Sequence, residues 1–431
     1  MSRSELISDA HVVTAGTVVR NGWVLVEDGV ISDLGSSDRR PATAATRTSA
    51  AGSYLLPGFI DIHVHGGGGG SFASDQLSAQ RAARYHASNG TTSLLAGINT
   101  ASPSLLLEHV RQLGMWGEEI DGGCRLLGAH LEGPFISTIR RGAQDPLAIR
   151  PPDPEELSAL LQAAPGRIRL MTAAPELPRF YEIARMAQNA GVVVAVGHTD
   201  ADGAQLCEAI HAGARSITHT FNGMRPVLHR SPGVMEAIVG TDVFCELICD
   251  GVHVHPTFVR MLRSLVGRDR LVLVTDAAMW AGAPDGRYES GARSVEVRDG
   301  AVFLGRTDTL NGSTLTMAEA ARRYVKFTGA DVVELAAVAA TNAACALGED
   351  HRIGRVKVGH QADLLFLDGQ MSCVGVMRGG HWARALGAPV EPFSMPAVHA
   401  PPEASFVECG CGHDGCSPSG ATRLAGEEEK R

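Results

Sequence analysis

An apolar run closes on two histidines and then on glycine alone: "GFIDIHVHGGGGG", residues 58–70. Residues two apart on a strand project to the same side, so His63 and His65 face one way, as two imidazoles do when they hold a metal ion. The glycines after them let the backbone turn and approach a ligand without steric cost. Alone, an HxH pair is weak evidence, since many such pairs arise by chance. Four further apolar runs, however, end in the same kinds of residue. "RLLGAHLEG" places Glu132 at its end, "VVVAVGHT" places His198, "SITHTF" places His219 and "LVLVTDA" places Asp276. Each one singly reads as a packed histidine or a carboxylate capping the next helix. Five such ends would crowd polar groups into one rim unless a cation held them. The chemistry that fits such a rim is metal binding, with Asp276 as one of its carboxylates.

These residues need a scaffold that brings strand ends together. Eight apolar runs of four to seven residues alternate with helical stretches such as "DQLSAQRAARYHASNG" and "PELPRFYEIARMAQNAG". Together with the four quoted above, they include "LLPGFIDIHVH", "TTSLLAGI", "RIRLMTAAPE" and "FCELICDGVHV". This alternation predicts an α/β fold, a (β/α)8 barrel over residues 55–350, whose active site lies at the C-terminal ends of its strands. A doubly wound open sheet is the alternative, but no Gly-x-Gly-x-x-Gly follows the first strand. Short strand-like runs fill residues 1–54 and 351–394, with hairpin turns at Asn21-Gly22 and Asp28-Gly29. Each is small for an independent core, so the two ends are expected to form one small β-sandwich subdomain.

Residues 395–431 are rich in proline, glycine and serine and end in charge, the composition of a disordered tail. Its Cys409, Cys411, His413 and Cys416 are spaced too tightly for one tetrahedral centre and read as incidental thiols. Six other cysteines are scattered singly, as expected of reduced thiols in a cytoplasmic protein. The 431 residues carry a formal charge of −9 with no basic cluster, which argues against a nucleic-acid partner. No apolar run reaches membrane-spanning length, so no membrane partner is expected either. An anionic small substrate would need a local positive site.

The motifs "PGFIDIHVHG", "HLEGPF", "GHTDA", "THTFNGM", "DGVHV", and "TDA" followed by "LNGSTLTM", resemble the amidohydrolase superfamily, and within it the N-acetylglucosamine-6-phosphate deacetylase family, over residues 10–385. The cyclic-amide branch of that superfamily carries a bridging lysine at the fourth strand's end; "RIRLMTAAPE" offers none. The resemblance implies hydrolysis of an N-acetyl amide, with Glu132, His198 and His219 as core metal ligands, a metal-activated water as nucleophile and Asp276 as the carboxylate that moves its proton. His63 and His65 are positions where a second metal is held when both are histidine. The implied cofactor is a divalent metal, Zn2+, one or two per subunit, in a homodimer acting on a small amino-sugar phosphate. It also implies that Asn222, Gly223, Arg230, Asp250, Gly251 and His253 surround the sugar phosphate. Leu310, Asn311 and Gly312 would line the acetamido side, and the backbone at Ala143 would touch the sugar. His130, just before Glu132, is expected to face the opposite way and to be structural, and His229 to be a solvated surface group. The family usually has histidine after Gly-Ala in the loop written here "RRGAQDP", where Gln144 stands instead. Other readings are an N-acetylgalactosamine-6-phosphate deacetylase, a deaminase, or a non-catalytic barrel scaffold, although scaffolds of that kind typically lose ligands that are all present here.

Overall fold

The computed structural model describes residues 4–41, 44–290 and 293–390. The tail and its cysteine cluster lie outside the described residues. All eight apolar runs become strands of one parallel sheet: β1 (Phe59–Val64), β2 (Thr91–Asn99), β3 (Arg125–Glu132), β4 (Ile168–Ala173), β5 (Val193–Val196), β6 (Ser216–Ile217), β7 (Phe244–Ile248) and β8 (Leu271–Val274). They pair in chain order with helices between them, which is the architecture of a (β/α)8 barrel. Strands buried on both faces carry continuous apolar runs rather than alternation. Ile60, Ile62, Leu95, Leu127, Leu170, Ile248 and Val272, from six of these strands, meet in one buried cluster. Each such side chain contributes about 1.5–3 kcal/mol on burial.

The first and last strands are joined by bonds at their C-terminal ends. Asp276 N donates to His63 O at 2.8 Å, and His65 N and Gly66 N both donate to Ala277 O. Beneath them, Asp61 is fully buried and accepts from Thr275 Oγ1 at 2.5 Å. Burial pushes the Asp61 carboxyl up to about 7 against the hydrogen bonds from Thr275 and the His63 N–H.

The glycine run follows this seam. It passes between helix α1 (Gln76–Ser88), capped by Asp75, and the chain after β8. A Cβ at Gly66 would sit 2.2 Å from Gly70 O, and one at Gly70 would sit 2.2 Å from Ser78 O. The opening glycines are therefore required by backbone crowding beside the histidines. His86 of α1 fixes the same turn through Nε2, 2.8 Å from Gly66 O.

The two chain ends meet in one eight-stranded sheet. Tyr54–Pro57 lies between Ser4–Thr14, which it pairs in parallel, and Leu364–Leu367, which it pairs antiparallel. Asp363, next to the latter strand, is bonded by the buried Arg125 of β3, tying this sheet to the barrel. A separate four-stranded antiparallel sheet is not anticipated by the sequence analysis: Gly286–Ser290, Arg293–Arg298, Ala301–Leu304 and Leu310–Ser313. It is inserted after β8, with a turn at Asp299-Gly300.

The crowding at Gly66 gives a direct test. Gly66→Ala must displace backbone, so it is expected to destabilise the protein by about 1–3 kcal/mol, the usual cost of overpacking. Thermal denaturation against wild type measures this, and an unchanged midpoint would contradict the packing described.

Candidate active site

Glu132, the last residue of β3, is the point on which the other groups converge. His198 Nε2 lies 3.0 Å and His219 Nε2 3.1 Å from its Oε1, and the two nitrogens are 3.1 Å apart. His63 Nε2 is 3.4 Å from the same oxygen and 3.6 Å from Asp276 Oδ1. His65 Nε2 is 3.4 Å from Glu132 Oε2 and 3.3 Å from Asp276 Oδ1. All six predicted chemistry-bearing residues are thus brought together at the C-terminal end of the barrel.

The local backbone at three of them is unusual. His198, His219 and Asp276 follow the ends of β5, β6 and β8, and adopt φ of 46°, 28° and 49°. Non-glycine residues seldom occupy this region, and such outliers concentrate where structure is over-determined for function. The turns are held by hydrogen bonds: Ser137 N to His198 O, Asn222 N to His219 O, and Ser313 N to Asp276 O. Gly223 lies against the His198 ring, where a Cβ would come within 2.9 Å of Nδ1.

Hydrogen bonds also decide which ring nitrogens face the centre. His198 Nδ1 is 2.8 Å from Arg140 O, a pure acceptor, so Nδ1 carries the proton and Nε2 presents its lone pair. His63 Nδ1 is 3.0 Å from Glu246 Oε2, with the same result. Glu246 is fully buried in β7 and also accepts from His219 N at 3.2 Å. Sequence reasoning missed Glu246, although a lone carboxylate inside the apolar run "FCELI" was a usable signal.

His130 corrects an expectation. Residues two apart on a strand share a side, so it faces the same way as Glu132 rather than the opposite way. Its ring packs edge-on to His63 at 4.5 Å, and Nε2 lies 2.8 Å from Thr172 Oγ1. Burial and the neighbouring His63 hold its pKa well below the ordinary value.

The donor set fits a divalent cation. His63 Nε2 is buried with no hydrogen-bond partner, and two sets of donors, His63 with Glu132 and His219, and His63 with His65 and Asp276, lie close enough for an ion. Imidazole nitrogens and carboxylate oxygens suit zinc and similar metals. Burial opposes charge on Glu132, but the surrounding imidazoles of His198, His219 and His63 outweigh it and hold the carboxyl well below its usual range. Burial lowers His219 despite the Glu132 contact, which favours the neutral, ligating form.

These groups open into a cavity of about 630 Å³. Of the predicted substrate residues, Ala143, Asn222, Gly223, His253, Leu310, Asn311 and Gly312 line it. Leu310, Asn311 and Gly312 arrive on the last strand of the unanticipated sheet, where Gly312 (φ 78°) lies so close to Asp276 O that a Cβ would be 2.7 Å away. Asp250 and Gly251 are not in the lining. Asp250 instead stands behind His253, accepting from its backbone N–H at 2.8 Å and its Nδ1 at 2.5 Å. Arg230 is exposed on the loop after β6, away from the lining, as is His229. Gln144, Asn99 and Thr100 belong to the lining, and Gln144 bonds directly to Glu132.

Comparison with known proteins agrees with this geometry. Residues 54–389 match the amidohydrolase family. The N-acetylglucosamine-6-phosphate deacetylase of Bacillus subtilis (strain 168) is 39% identical over 376 residues, covering 85% of this chain and 94% of that protein. An N-acetylgalactosamine-6-phosphate deacetylase of Escherichia coli O157:H7 is 32% identical over 366 residues, covering 83% and 95%. Among solved structures, an aspartate-to-alanine variant of the Mycobacterium smegmatis N-acetyl-D-glucosamine-6-phosphate deacetylase, in complex with N-acetyl-D-glucosamine 6-phosphate, superposes with a TM-score of 0.82. It has 37% identity, over 89% of this chain and 100% of that one. By the matched span and these relatives, the chain belongs to the amidohydrolase family.

Proposed function

We propose that the chain removes the acetyl group of N-acetyl-D-glucosamine 6-phosphate by metal-dependent hydrolysis, giving D-glucosamine 6-phosphate and acetate. The observation that carries this reading is the convergence of Glu132, His198 and His219 beside Asp276, at the base of a cavity lined by Asn222, Gly223 and 310–312. The relatives that match along most of the chain act, by name, on that substrate.

Glu132, His198 and His219 would hold one divalent cation, which we read as zinc, and His63 and His65 with Asp276 a second. Such a cation supplies an acidified water and polarises the amide carbonyl. Asp276 does the proton transfer. Burial works against its charge, but the neighbouring imidazoles of His65 and His63 keep its pKa below the ordinary carboxylate value, so it is ionised at neutral pH and can accept a proton. It takes that proton from the attacking water and returns it to the leaving nitrogen.

No lysine or arginine is among the described residues lining the cavity. A phosphate dianion therefore needs a cation from outside, and Arg230 on its exposed loop is our assignment, reaching the site across a homodimer. His253, held by Asp250, and Asn222 add donors. Among the described residues no helix is long and apolar enough to cross a membrane. We place the enzyme in the cytoplasm. The galactosamine epimer is the natural comparison substrate, because a relative at 32% identity is named for it.

Three measurements test this reading. His198→Ala is expected to lose the bound metal and the activity together, whereas His63→Ala loses at most a second metal equivalent; elemental analysis with acetate release decides, and full metal in His198→Ala would refute the ligand set. Asp276→Asn keeps its shape without accepting a proton, so turnover is expected to fall about 10²–10⁴-fold with metal retained. Arg230→Ala removes a charge-assisted bond of about 1.5–3 kcal/mol, a roughly 10- to 150-fold loss in kcat/KM. That loss should be confined to the phosphorylated substrate; an equal loss on plain N-acetylglucosamine would make Arg230 structural.

A further inference from the structure

Gln144 stands where the sequence pattern led us to expect a histidine touching sugar, yet its side chain turns away from that task. It is 8% exposed and its amide spans three groups. Oε1 accepts from Thr100 N at 3.0 Å, while Nε2 donates to Glu132 Oε2 at 2.5 Å and to Asn99 Oδ1 at 3.3 Å. Chemistry fixes this orientation. A backbone N–H can only donate, so the amide oxygen must face Thr100, and the nitrogen is left to face the two oxygens. Thr100 is itself tied to the same strand end, through Oγ1 donating to Glu132 O at 3.0 Å.

The two oxygens of Glu132 are thereby made unequal. Oε1 faces the Nε2 atoms of His198, His219 and His63, at 3.0, 3.1 and 3.4 Å. Oε2 accepts from the neutral amide at 2.5 Å and has one imidazole nitrogen, His65 Nε2, at 3.4 Å. Without that anchor the carboxylate could rotate about its last bond and exchange its oxygens. A neutral donor also holds Oε2 without adding a positive charge beside a cation site. We propose that Gln144 is a positioning residue for Glu132, which orients the carboxylate toward the metal instead of contacting the sugar. This rests on the reading of Glu132 as a metal ligand. Partners of this kind, one bond removed from a metal, usually change metal affinity or activity 10–100-fold when replaced.

The test separates metal binding from substrate binding. The full-length protein, stripped of metal, is titrated with Zn2+ alone against a competing chromophoric chelator. Gln144→Met preserves shape without hydrogen bonding and is expected to weaken the zinc dissociation constant roughly 10- to 100-fold. At saturating zinc its KM for N-acetylglucosamine 6-phosphate should stay near the wild-type value. Gln144→Asn, too short to span Thr100 and Glu132 yet too small to clash, should also weaken zinc binding, which guards against a misfolded methionine variant. Unchanged zinc affinity in both variants overturns the proposal, and a raised KM with unchanged affinity shows a sugar contact instead. Failure of the underlying metal reading is distinct, because wild type would then bind no zinc that His198→Ala abolishes, before any change at 144.

Discussion

The mouth of this barrel is organised by the cost of burying one carboxylate. Glu132 is 4% exposed at the end of a fully buried strand, and an isolated charge there would be strongly unfavourable. It is tolerated because imidazoles from β1, from the turns after β5 and β6, and from the chain just beyond β1 all point at it. Those imidazoles need partners in turn. Glu246 holds His63, and Arg140 O holds His198. The result is a nested set of buried polar groups in which each one fixes the direction of the next. Such networks are unstable when partly satisfied, which is why the central vacancy in hydrogen bonding, at His63 Nε2, reads as a place for a cation.

The same constraint accounts for where the backbone departs from regular structure. A strand residue projects along the pleat, whereas His198, His219 and Asp276 must reach inward over the strand ends. Each does so by adopting a left-handed φ just beyond its strand; backbone bonds from Ser137 and Ser313 hold the turns at His198 and Asp276, and Asn222 closes the turn at His219 within its own loop. Conformational strain of order 1–3 kcal/mol per residue is offset only if those loops are themselves firmly packed. The unanticipated four-stranded sheet contributes here: its final residue, Ser313, accepts from Ala278 N and donates to Asp276 O, so the sheet that walls the cavity also holds the carboxylate proposed for proton transfer.

Much of this was legible in the sequence, for identifiable reasons. Strands buried on both faces leave continuous apolar runs, and a histidine or carboxylate ending such a run stands out against them; that is how the six central residues were found. What escaped lacked that contrast. The 286–313 sheet is only partly buried, so its short runs do not stand out within the span 55–350 assigned to the barrel. Glu246 sits inside its run instead of at the end. His130, two residues before Glu132 on the same strand, shares its side and so packs against His63 instead of facing away. For Gln144 the resemblance identified the position, but a position does not say which way a flexible amide turns, and that depends on Thr100, just beyond the end of β2.

Closure of the barrel and assembly of the site are one event in this fold. The bonds that bring β8 to β1 run through His63, His65, Thr275, Asp276 and Ala277, all of them site residues or their immediate neighbours. Asp61 lies beneath, sealed from solvent and bonded to Thr275, and sets the height at which Asp276 meets His63. Gly66 and Gly70 complete the seam, since a side chain at Gly66 would collide with Gly70 O and crowd the Met279 backbone beyond β8, and one at Gly70 would collide with Ser78 O of α1. The feature that first drew attention, two histidines followed by bare backbone, is thus the place where the chain must close tightly to bring its first and last strand ends within reach of a common ion.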